Sequence, residues 1–197
     1  MPSDPQEWEL VQKAAKGDAE AFRELVEKYH QRVLAVTTGM LHNREDALEV
    51  TQEAFIKAYR SIGDFKGDSR FYTWIHRIAV NLAIDHQRRE WRRPIVDNVP
   101  KSSGDEAAVA ETLLDRVADD RPGADPYKAT TDAELRERVQ AAVDELTPDH
   151  KAVILLREVE GLSYEEISQV MQCSKGTVMS RLHYARRKLQ ASLKEFL

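Results

Sequence analysis

Cysteine is nearly absent from this chain, and its scarcity excludes several kinds of chemistry. Cys173 is the one cysteine among 197 residues, so the chain can form no internal disulfide. A zinc site built on several thiolates is excluded for the same reason. The six histidines are scattered, and no two of them have the spacing of metal ligands on one helix. We therefore expect no metal site and no cofactor.

Motifs for catalysis are missing as well. No glycine-rich loop ends in Lys-Ser or Lys-Thr to hold a phosphate group, and no Gly-x-Ser-x-Gly turn presents a nucleophilic serine. Because metal ligands are also lacking, we expect no catalytic residues, no small-molecule substrate and no enzymatic activity.

Long apolar runs are absent, although 42% of the residues are hydrophobic. No stretch approaches the length of a membrane span, and the first residues, Met-Pro-Ser-Asp-Pro-Gln-Glu, are polar and acidic, unlike a secretory signal. We therefore expect a cytoplasmic protein. The net charge of −5 excludes a uniformly basic coat for nucleic acid, but it leaves room for local basic patches.

The residues after Gly161 have a pattern typical of two short helices around a tight turn. Ser163 and Glu166 have the spacing of a capping box, so a helix should begin at Tyr164, and Ser174 can cap a second helix. The second helix carries one apolar stripe, formed by Val178, Leu182, Ala185 and Leu189.

The other face of this second helix is polar and basic. No acidic residue occurs from position 172 to position 194, whereas lysine and arginine recur. The turn spacing, the two caps and the one-sided charge favour a helix-turn-helix whose second helix enters a DNA major groove. The alternative is an ordinary helical hairpin with a solvated basic face.

Residues 1–93 have helical periodicity throughout. A short amphipathic helix should end near Gly17, Asp18 can cap the next helix, and a third helix should begin near Asn43 or Arg44. The polar side of the third helix carries an acidic stripe, which is either a solvated face or a surface for a basic partner helix. The stripe consists of Asp46, Glu49 and Glu53, with Gln52 beside them.

Turn residues from position 63 to 69 separate the third helix from a fourth, which should end before Pro94. One face of the fourth helix carries Arg70, Arg77, Asn81 and Arg88. Arginines and an amide beside aromatic residues can bind single-stranded nucleic acid by stacking and phosphate contacts. The simpler interpretation assigns Phe71 and Trp74 to the core.

The character of the sequence changes in residues 94–130. Acidic residues outnumber basic ones there, helical periodicity is weak, and prolines recur at Pro94, Pro100, Pro122 and Pro126. We expect a flexible acidic linker between two helical units.

A second helical unit, residues 131–197, follows the linker. Thr131 and Glu134 have the spacing of a capping box, and Thr147-Pro148 should begin the next helix, which Gly161 should end. Strand-like alternation is sustained nowhere, so the fold class should be all-α.

Three segments of this chain resemble, in the same order, the extracytoplasmic-function sigma factors, close to the RpoE-like group of the sigma-70 family. The segments are Asp46-Ala-Leu-Glu-Val-Thr-Gln-Glu-Ala-Phe-Ile-Lys-Ala-Tyr-Arg, Phe65-Lys-Gly-Asp-Ser-Arg-Phe-Tyr-Thr-Trp-Ile-His-Arg-Ile-Ala-Val-Asn, and Gly161-Leu-Ser-Tyr-Glu-Glu-Ile with Gly176-Thr-Val-Met-Ser-Arg-Leu. The resemblance implies a sigma domain 2-like unit over 1–93 and a domain 4-like unit over 131–197. It also implies a subunit that directs core RNA polymerase to promoters.

The resemblance further implies partners and contact residues. The partners are promoter DNA, the β′ clamp coiled coil and β flap of core polymerase, and an anti-sigma factor that keeps the protein inactive. The residues implied to bind core polymerase are Asp46, Glu49, Gln52, Glu53, Phe55 and Lys57. Those implied to hold the opened −10 strand are Phe65, Lys66, Arg70, Tyr72, Arg77, Asn81 and Arg88. Those implied to read the −35 duplex are Tyr164, Lys175, Gly176, Thr177, Met179, Ser180, Arg181, His183, Tyr184 and Arg186.

The chain departs from the family pattern at a few positions. Met179 stands where an arginine is usual, and His183 and Tyr184 replace an aromatic residue and an arginine, so the −35 sequence that is read should differ. Gln172 lies in a turn where glycine is frequent, and a positive φ there costs roughly 1 kcal/mol. Two other functions remain open from the sequence: a helix-turn-helix regulator that acts alone, and a helical adaptor without DNA contact.

Overall fold

A computed structural model describes residues 4–41, 43–92 and 138–194 of the chain. All regular secondary structure in this described part is helical. The first unit comprises helices α1 (Pro5–Ala15), α2 (Ala19–Met40), α3 (Arg44–Ser61) and α4 (Phe71–Arg92). In the second unit, α5 covers residues 138–144, and α6 (Pro148–Glu158), α7 (Tyr164–Val170) and α8 (Lys175–Ser192) follow. The predicted linker, 94–130, and the predicted cap at Thr131 lie outside the described residues.

Side-chain caps fix the beginnings of the helices in the first unit. Asp4 accepts a hydrogen bond from the backbone N–H of Gln6, at 3.1 Å, and Asp18 caps α2 in the same way. Asn43 accepts from the backbone N–H of Glu45 at 2.8 Å. Each cap of this kind stabilises a helix by about 1 kcal/mol. The predicted cap at Asp18 is therefore confirmed, and so is the predicted beginning of α3 near Asn43 or Arg44.

The loop between α3 and α4 is held against α1 by aromatic packing. Phe65 lies 4.9 Å from Trp74 and 6.3 Å from Trp8, measured between ring centroids. Phe71 is 1% exposed and Trp74 is 8% exposed, so these two residues belong to the core and form no open stacking platform. Gly67 has a φ of 74°, and a Cβ placed there would lie 2.6 Å from the Trp8 ring. Only glycine accommodates both the positive φ and the close approach of the Trp8 ring.

The helix-turn-helix pattern is confirmed. Ser163 and Glu166 form the full capping box at the beginning of α7, and the Ser174 hydroxyl accepts from the backbone N–H of Thr177 at 3.1 Å. Gln172 has a φ of 48°, as the sequence predicted for this turn. Residues of the predicted apolar stripe, Val178, Leu182 and Ala185, are buried.

The beginning and end of α6 match the prediction with one difference. Helix α6 ends at Glu158, and Gly161 follows in the left-handed conformation with a φ of 68°. At the other end, Thr147 occupies the N-cap position, but its side chain makes no cap hydrogen bond. The Thr147 hydroxyl instead lies 2.7 Å from Nδ1 of His150.

The two units pack against each other in one compact arrangement. Helix α6 lies on α2, and α7 lies on α4. The buried apolar side chains of both units form one continuous core cluster. None of the helices in the described ranges has the combination of length and hydropathy needed to cross a membrane.

Candidate nucleic-acid and polymerase interfaces

Helix α8 presents an open polar face. Its buried stripe packs toward α6 and α7, and the opposite side is exposed to solvent. Met179 is 56% exposed and Tyr184 is 61% exposed, although both are large apolar or aromatic side chains. The other exposed residues of the predicted −35 set are Lys175, Gly176, Ser180, His183 and Arg186, while Tyr164, Thr177 and Arg181 are half-buried. The predicted set therefore lies along a single helix and the beginning of α7.

Carboxylates of the same unit are paired with the basic residues of this face. Arg186 Nη2 lies 2.7 Å from Glu158, Arg181 lies 3.4 Å from Asp149, and Lys175 is paired with Glu165. Solvent-exposed ion pairs of this kind contribute about 0–1 kcal/mol each. DNA phosphates can readily replace these weakly held carboxylates. Binding of the basic residues to DNA also releases counterions from the DNA backbone.

His150 is a residue of this face that sequence reasoning missed. Its ring stacks on Tyr184, with centroids 5.2 Å apart and an angle of 23° between the planes. Partial burial, and then the positive charge of Arg181, lower the pKa of His150 below its ordinary value. The ring is therefore neutral near pH 7. The contact between His150 and Tyr184 joins α6 to α8, and no local pattern in the sequence predicts it.

Helix α3 presents the acidic stripe on the first unit. Glu49, Gln52 and Lys57 are exposed, whereas Asp46 and Glu53 are half-buried. Lys57 Nζ lies 3.1 Å from Glu53, so the stripe is partly neutralised at its C-terminal end.

Apolar residues flank this stripe, and the sequence reasoning did not select them. Ile56 is 50% exposed and Tyr59 is 46% exposed. The sequence did contain a signal for these two residues, because both are apolar but fall outside the buried stripe of α3. Phe55, in contrast, is 6% exposed, and its ring stacks on His30 with centroids 6.1 Å apart. Phe55 therefore belongs to the buried side of α3. A direct contact between Phe55 and polymerase stays a prediction that this burial disfavours.

The residues predicted to hold the −10 strand divide into exposed and covered members. Lys66, Arg70, Asn81 and Arg88 are exposed, whereas Phe65 and Arg77 are half-buried. Tyr72 is 6% exposed, and the guanidinium of Arg32 lies over its ring at 4.1 Å. The Tyr72 hydroxyl donates a hydrogen bond to the carboxylate of Glu160 in the second unit. Tyr72 is therefore covered in this arrangement.

Helix α7 contributes a second contact between the two units. Arg70 Nη1 lies 3.5 Å from Oε1 of Glu166. Partial burial raises the pKa of Glu166, but the hydrogen bonds from Ser163 and the charge of Arg70 outweigh it, so that the net pKa is lowered. Glu166 is thus ionised near neutral pH and holds Arg70 across the two units.

Among the described residues, no group of histidine, cysteine, aspartate and glutamate side chains is arranged to hold a metal ion.

Comparison with known proteins identifies the family. Sigma-70 region 2 matches residues 25–93, and Sigma-70, region 4, matches residues 136–189. The chain is 38% identical to the RNA polymerase sigma-H factor of Pseudomonas aeruginosa over 197 residues, which is 100% of this chain and 98% of that protein. It is also 38% identical to the ECF RNA polymerase sigma-E factor of Haemophilus influenzae, over 95% of each chain.

A solved structure has the same fold. The sigma factor RpoE of Bartonella quintana, in complex with the anti-sigma factor NepR, matches with a TM-score of 0.62 and 20% sequence identity, over 89% of this chain and 98% of that one. The identity to full-length relatives and the two matching regions lead to one conclusion. This chain belongs to the sigma-70 family, as an RNA polymerase sigma factor of the extracytoplasmic-function (ECF) type that directs promoter-specific initiation.

Proposed function

We propose that this sigma factor reads its promoter with two surfaces, one on α8 and one on the segment 65–88. The observation that carries the proposal is the open face of α8, which has no acidic residue and is exposed while the apolar stripe is buried. A helix supported in this way fits a DNA major groove. Run-off transcription with core polymerase on a set of candidate promoters tests it. Core binding without specific initiation on any promoter contradicts it.

The −35 duplex is read by α8 in this proposal. Lys175, Arg181 and Arg186 hold phosphates, and Gly176 and Ser180 allow a close approach of the helix to the DNA. Met179, His183 and Tyr184 face outward and set the preferred base sequence. Thr177 and Tyr164 contribute from the beginning of α8 and α7.

The opened −10 strand is held by the loop after α3 and by α4. Asn81 is exposed on α4 and reads a base edge, whereas Arg70 and Arg77 hold phosphates. Lys66 and Arg88 extend the basic track at its two ends, and Phe65 and Tyr72 supply aromatic surface. A pocket that accepts an unstacked base repays the few kcal/mol that flipping costs.

Core polymerase docks on α3. The acidic stripe Asp46, Glu49, Gln52 and Glu53 is complementary in charge to a basic helical partner, the clamp coiled coil of β′, and the second unit contacts the β flap. We expect Glu49→Lys combined with Glu53→Lys to reduce core binding by at least about 100-fold, because like charges then face the partner.

The docking prediction has a matched control on α2. Glu20 and Glu24 have the same spacing and are exposed, so their double replacement by lysine changes the net charge equally. In a pull-down with core polymerase, only the α3 variant should fail to bind. Circular dichroism should show that both variants are helical. Equal retention of core by both variants contradicts the docking role of α3.

The remaining features follow from the same role. The sigma domain 2-like unit covers residues 1–93, the linker covers 94–130 and the domain 4-like unit covers 131–197. The protein acts in the cytoplasm and is not an enzyme, since catalysis belongs to core polymerase. The solved relative bound to an anti-sigma factor supports a similar inhibitor here. Co-expression with a candidate anti-sigma factor, followed by loss of core binding, tests that partner.

A helix-turn-helix regulator that acts alone is the alternative. Such a protein protects its operator from nuclease without polymerase, whereas a sigma factor protects a promoter only with core polymerase present. Similarity over the whole length to sigma factors favours the second behaviour.

A further inference from the structure

The outer face of α8 carries a row of residues at four-residue spacing. Gly176, Ser180 and Tyr184 follow one another at this spacing, so they lie in line along the helix. All three are exposed. Gly176 has no side chain and Ser180 has a small one, whereas Tyr184 has an aromatic ring. A surface that approaches this row therefore meets the Tyr184 ring as the largest projection.

The ring of Tyr184 is supported by a residue of another helix. His150, in the first turn of α6, stacks on it with centroids 5.2 Å apart and 23° between the ring planes. The hydroxyl of Thr147 lies 2.7 Å from Nδ1 of His150 and holds the imidazole in turn. This hydroxyl makes no cap hydrogen bond at the beginning of α6, so its contact is with His150 instead. The three side chains thus form a chain of contacts from α6 to the outer face of α8.

The charges around His150 keep its ring neutral. Burial lowers the pKa of His150, and the charges of Arg181 and Lys188 on α8 lower it further, against the opposing charge of Asp149 on α6. Arg181 is paired with Asp149 at 3.4 Å, and Lys188 donates a hydrogen bond to the backbone carbonyl oxygen of Glu145. The pair of His150 and Tyr184 is therefore an uncharged aromatic patch beside basic side chains.

An uncharged ring in a DNA major groove has one apolar group to contact, the C5-methyl group of thymine. The charged residues of α8 are suited to phosphates, which leaves this patch for a base edge. A side chain that is already held in place loses little rotamer freedom when DNA binds, so its contact contributes more to affinity. Support of the Tyr184 ring by His150 has this effect.

We propose that His150 is a positioning residue that holds the ring of Tyr184 against a thymine methyl group of the −35 duplex. The proposal rests on the proposed function, because it takes α8 as the helix that enters the major groove. His150 acts through Tyr184 and needs no DNA contact of its own. The first turn of α6 thereby takes part in the choice of promoter sequence.

Replacement of thymine by uracil tests this contact, because it removes the methyl group alone. The probe is a −35 duplex from a promoter on which run-off transcription shows specific initiation, with each thymine replaced in turn. Fluorescence anisotropy measures the affinity of the full chain. Uracil at one position should weaken binding about fourfold, as expected for the loss of one buried methyl group. Tyr184→Ala and His150→Ala should each bind the thymine and uracil duplexes equally.

Three further variants separate positioning from a loss of stability. Val153→Ala is the matched control, because it removes buried apolar volume from α6 and leaves the stack in place, so its uracil effect should remain fourfold to within error. His150→Phe keeps a neutral ring on Tyr184 and should restore the uracil effect. The double variant His150→Ala with Tyr184→Ala should bind the thymine duplex as Tyr184→Ala does, because His150 acts only through Tyr184.

The outcomes distinguish this proposal from the proposed function. A uracil effect that persists in His150→Ala overturns the positioning role, and so does additive loss in the double variant or equal binding of both duplexes by the unmodified protein. The nuclear magnetic resonance signal of the His150 ring should shift in Tyr184→Ala without any DNA, and an unchanged signal overturns the stack. Core binding without specific initiation on any promoter contradicts the proposed function instead, whatever the His150 signal shows.

Discussion

The two proposed DNA-reading surfaces of this sigma factor differ in the contacts that their side chains make. The face of α8 is open, and its basic residues are paired with exposed carboxylates such as Glu158 at 2.7 Å. The face of α4 is partly covered, and Tyr72 is bound to Glu160, whose side chain is fully buried. Exposed ion pairs exchange readily with phosphates, whereas loss of a partner from a buried carboxylate is costly because the charge is left uncompensated. In this structure the proposed −35 surface is therefore exposed, and part of the proposed −10 surface contacts the second unit.

The largest expected effect comes from Gly67, beside the partly covered surface, and Gly176 on the open surface is its contrast. Gly67→Ala should destabilise the first unit by about 2–3 kcal/mol, because a Cβ there meets the Trp8 ring at 2.6 Å and φ is positive. Gly176→Ala should stabilise α8 by about 0.5 kcal/mol, since its Cβ meets only the Ser174 hydroxyl at 3.7 Å. Urea denaturation measures both changes.

A DNA-binding measurement adds a second test to this pair of variants. Gly176→Ala should weaken binding to a −35 duplex in spite of its greater stability, because the added methyl group separates helix and DNA. A Gly176→Ala protein that binds the duplex normally removes Gly176 from the −35 contact. A Gly67→Ala protein as stable as the unmodified chain shows that the 65–70 loop can move away from Trp8.

An intermediate effect concerns pH and the covered side. His76 is fully buried next to Tyr72, with Nε2 3.9 Å from Glu160. Burial lowers the pKa of His76, although the charge of Glu160 acts to raise it and that of Arg32 to lower it. The unfolded chain has a histidine pKa of about 6.5, so between that value and the lowered folded value only the unfolded state binds the proton.

The free energy of unfolding should therefore be fully retained above about pH 6.5 and fall below it, by at most about 1.4 kcal/mol per pH unit. Chemical denaturation at about pH 7.5 and about pH 5.5 measures the loss, which His76→Gln should reduce because its amide does not titrate. The same loss in both proteins would assign the pH dependence to carboxylates instead. Nδ1 of His76 lies 2.9 Å from the Tyr72 carbonyl oxygen, a contact that glutamine can approximate.

The smallest expected effect is on the open side. Glu158→Gln removes the carboxylate that binds Arg186, so affinity for a −35 duplex should rise about two- to fivefold at low salt. The gain should shrink as salt is added, because screening weakens exposed charges on both partners. Glu24→Gln, an equal change of charge on α2, is the control in a titration by fluorescence anisotropy. An equal gain in both variants would assign the effect to net charge alone.

Local features of the fold were predictable from the sequence because their causes are local. Asp18, Asn43 and Ser163 cap helices through hydrogen bonds that span two or three residues, and the stripe of α8 follows from helical periodicity. Thr147 shows where such reasoning weakens, because His150 competes for its hydroxyl group.

The arrangement of the units was not predictable in this way. Arg32 and Glu160 are separated by 128 positions, and no local pattern around either residue indicates that the two are partners. Tyr72 lies within a segment that resembles a strand-binding element, and its hydroxyl donates a hydrogen bond to a carboxylate of the other unit. The periodicity of the sequence does not reveal contacts between the units. The geometry of those contacts is set by the packing of α6 on α2 and of α7 on α4.

The buried carboxylate of Glu160 accepts hydrogen bonds from Arg32 and Tyr72 of the first unit, and such contacts can couple ligand binding at the two units. Because these two donors belong to the other unit, any ligand that binds only the separated form of one unit shifts the equilibrium of both. Linkage requires the effect to be mutual: whatever factor polymerase gives to promoter affinity, promoter DNA gives back to polymerase affinity. A ligand that instead fits the closed form, touching both units, weakens both interactions by the same rule.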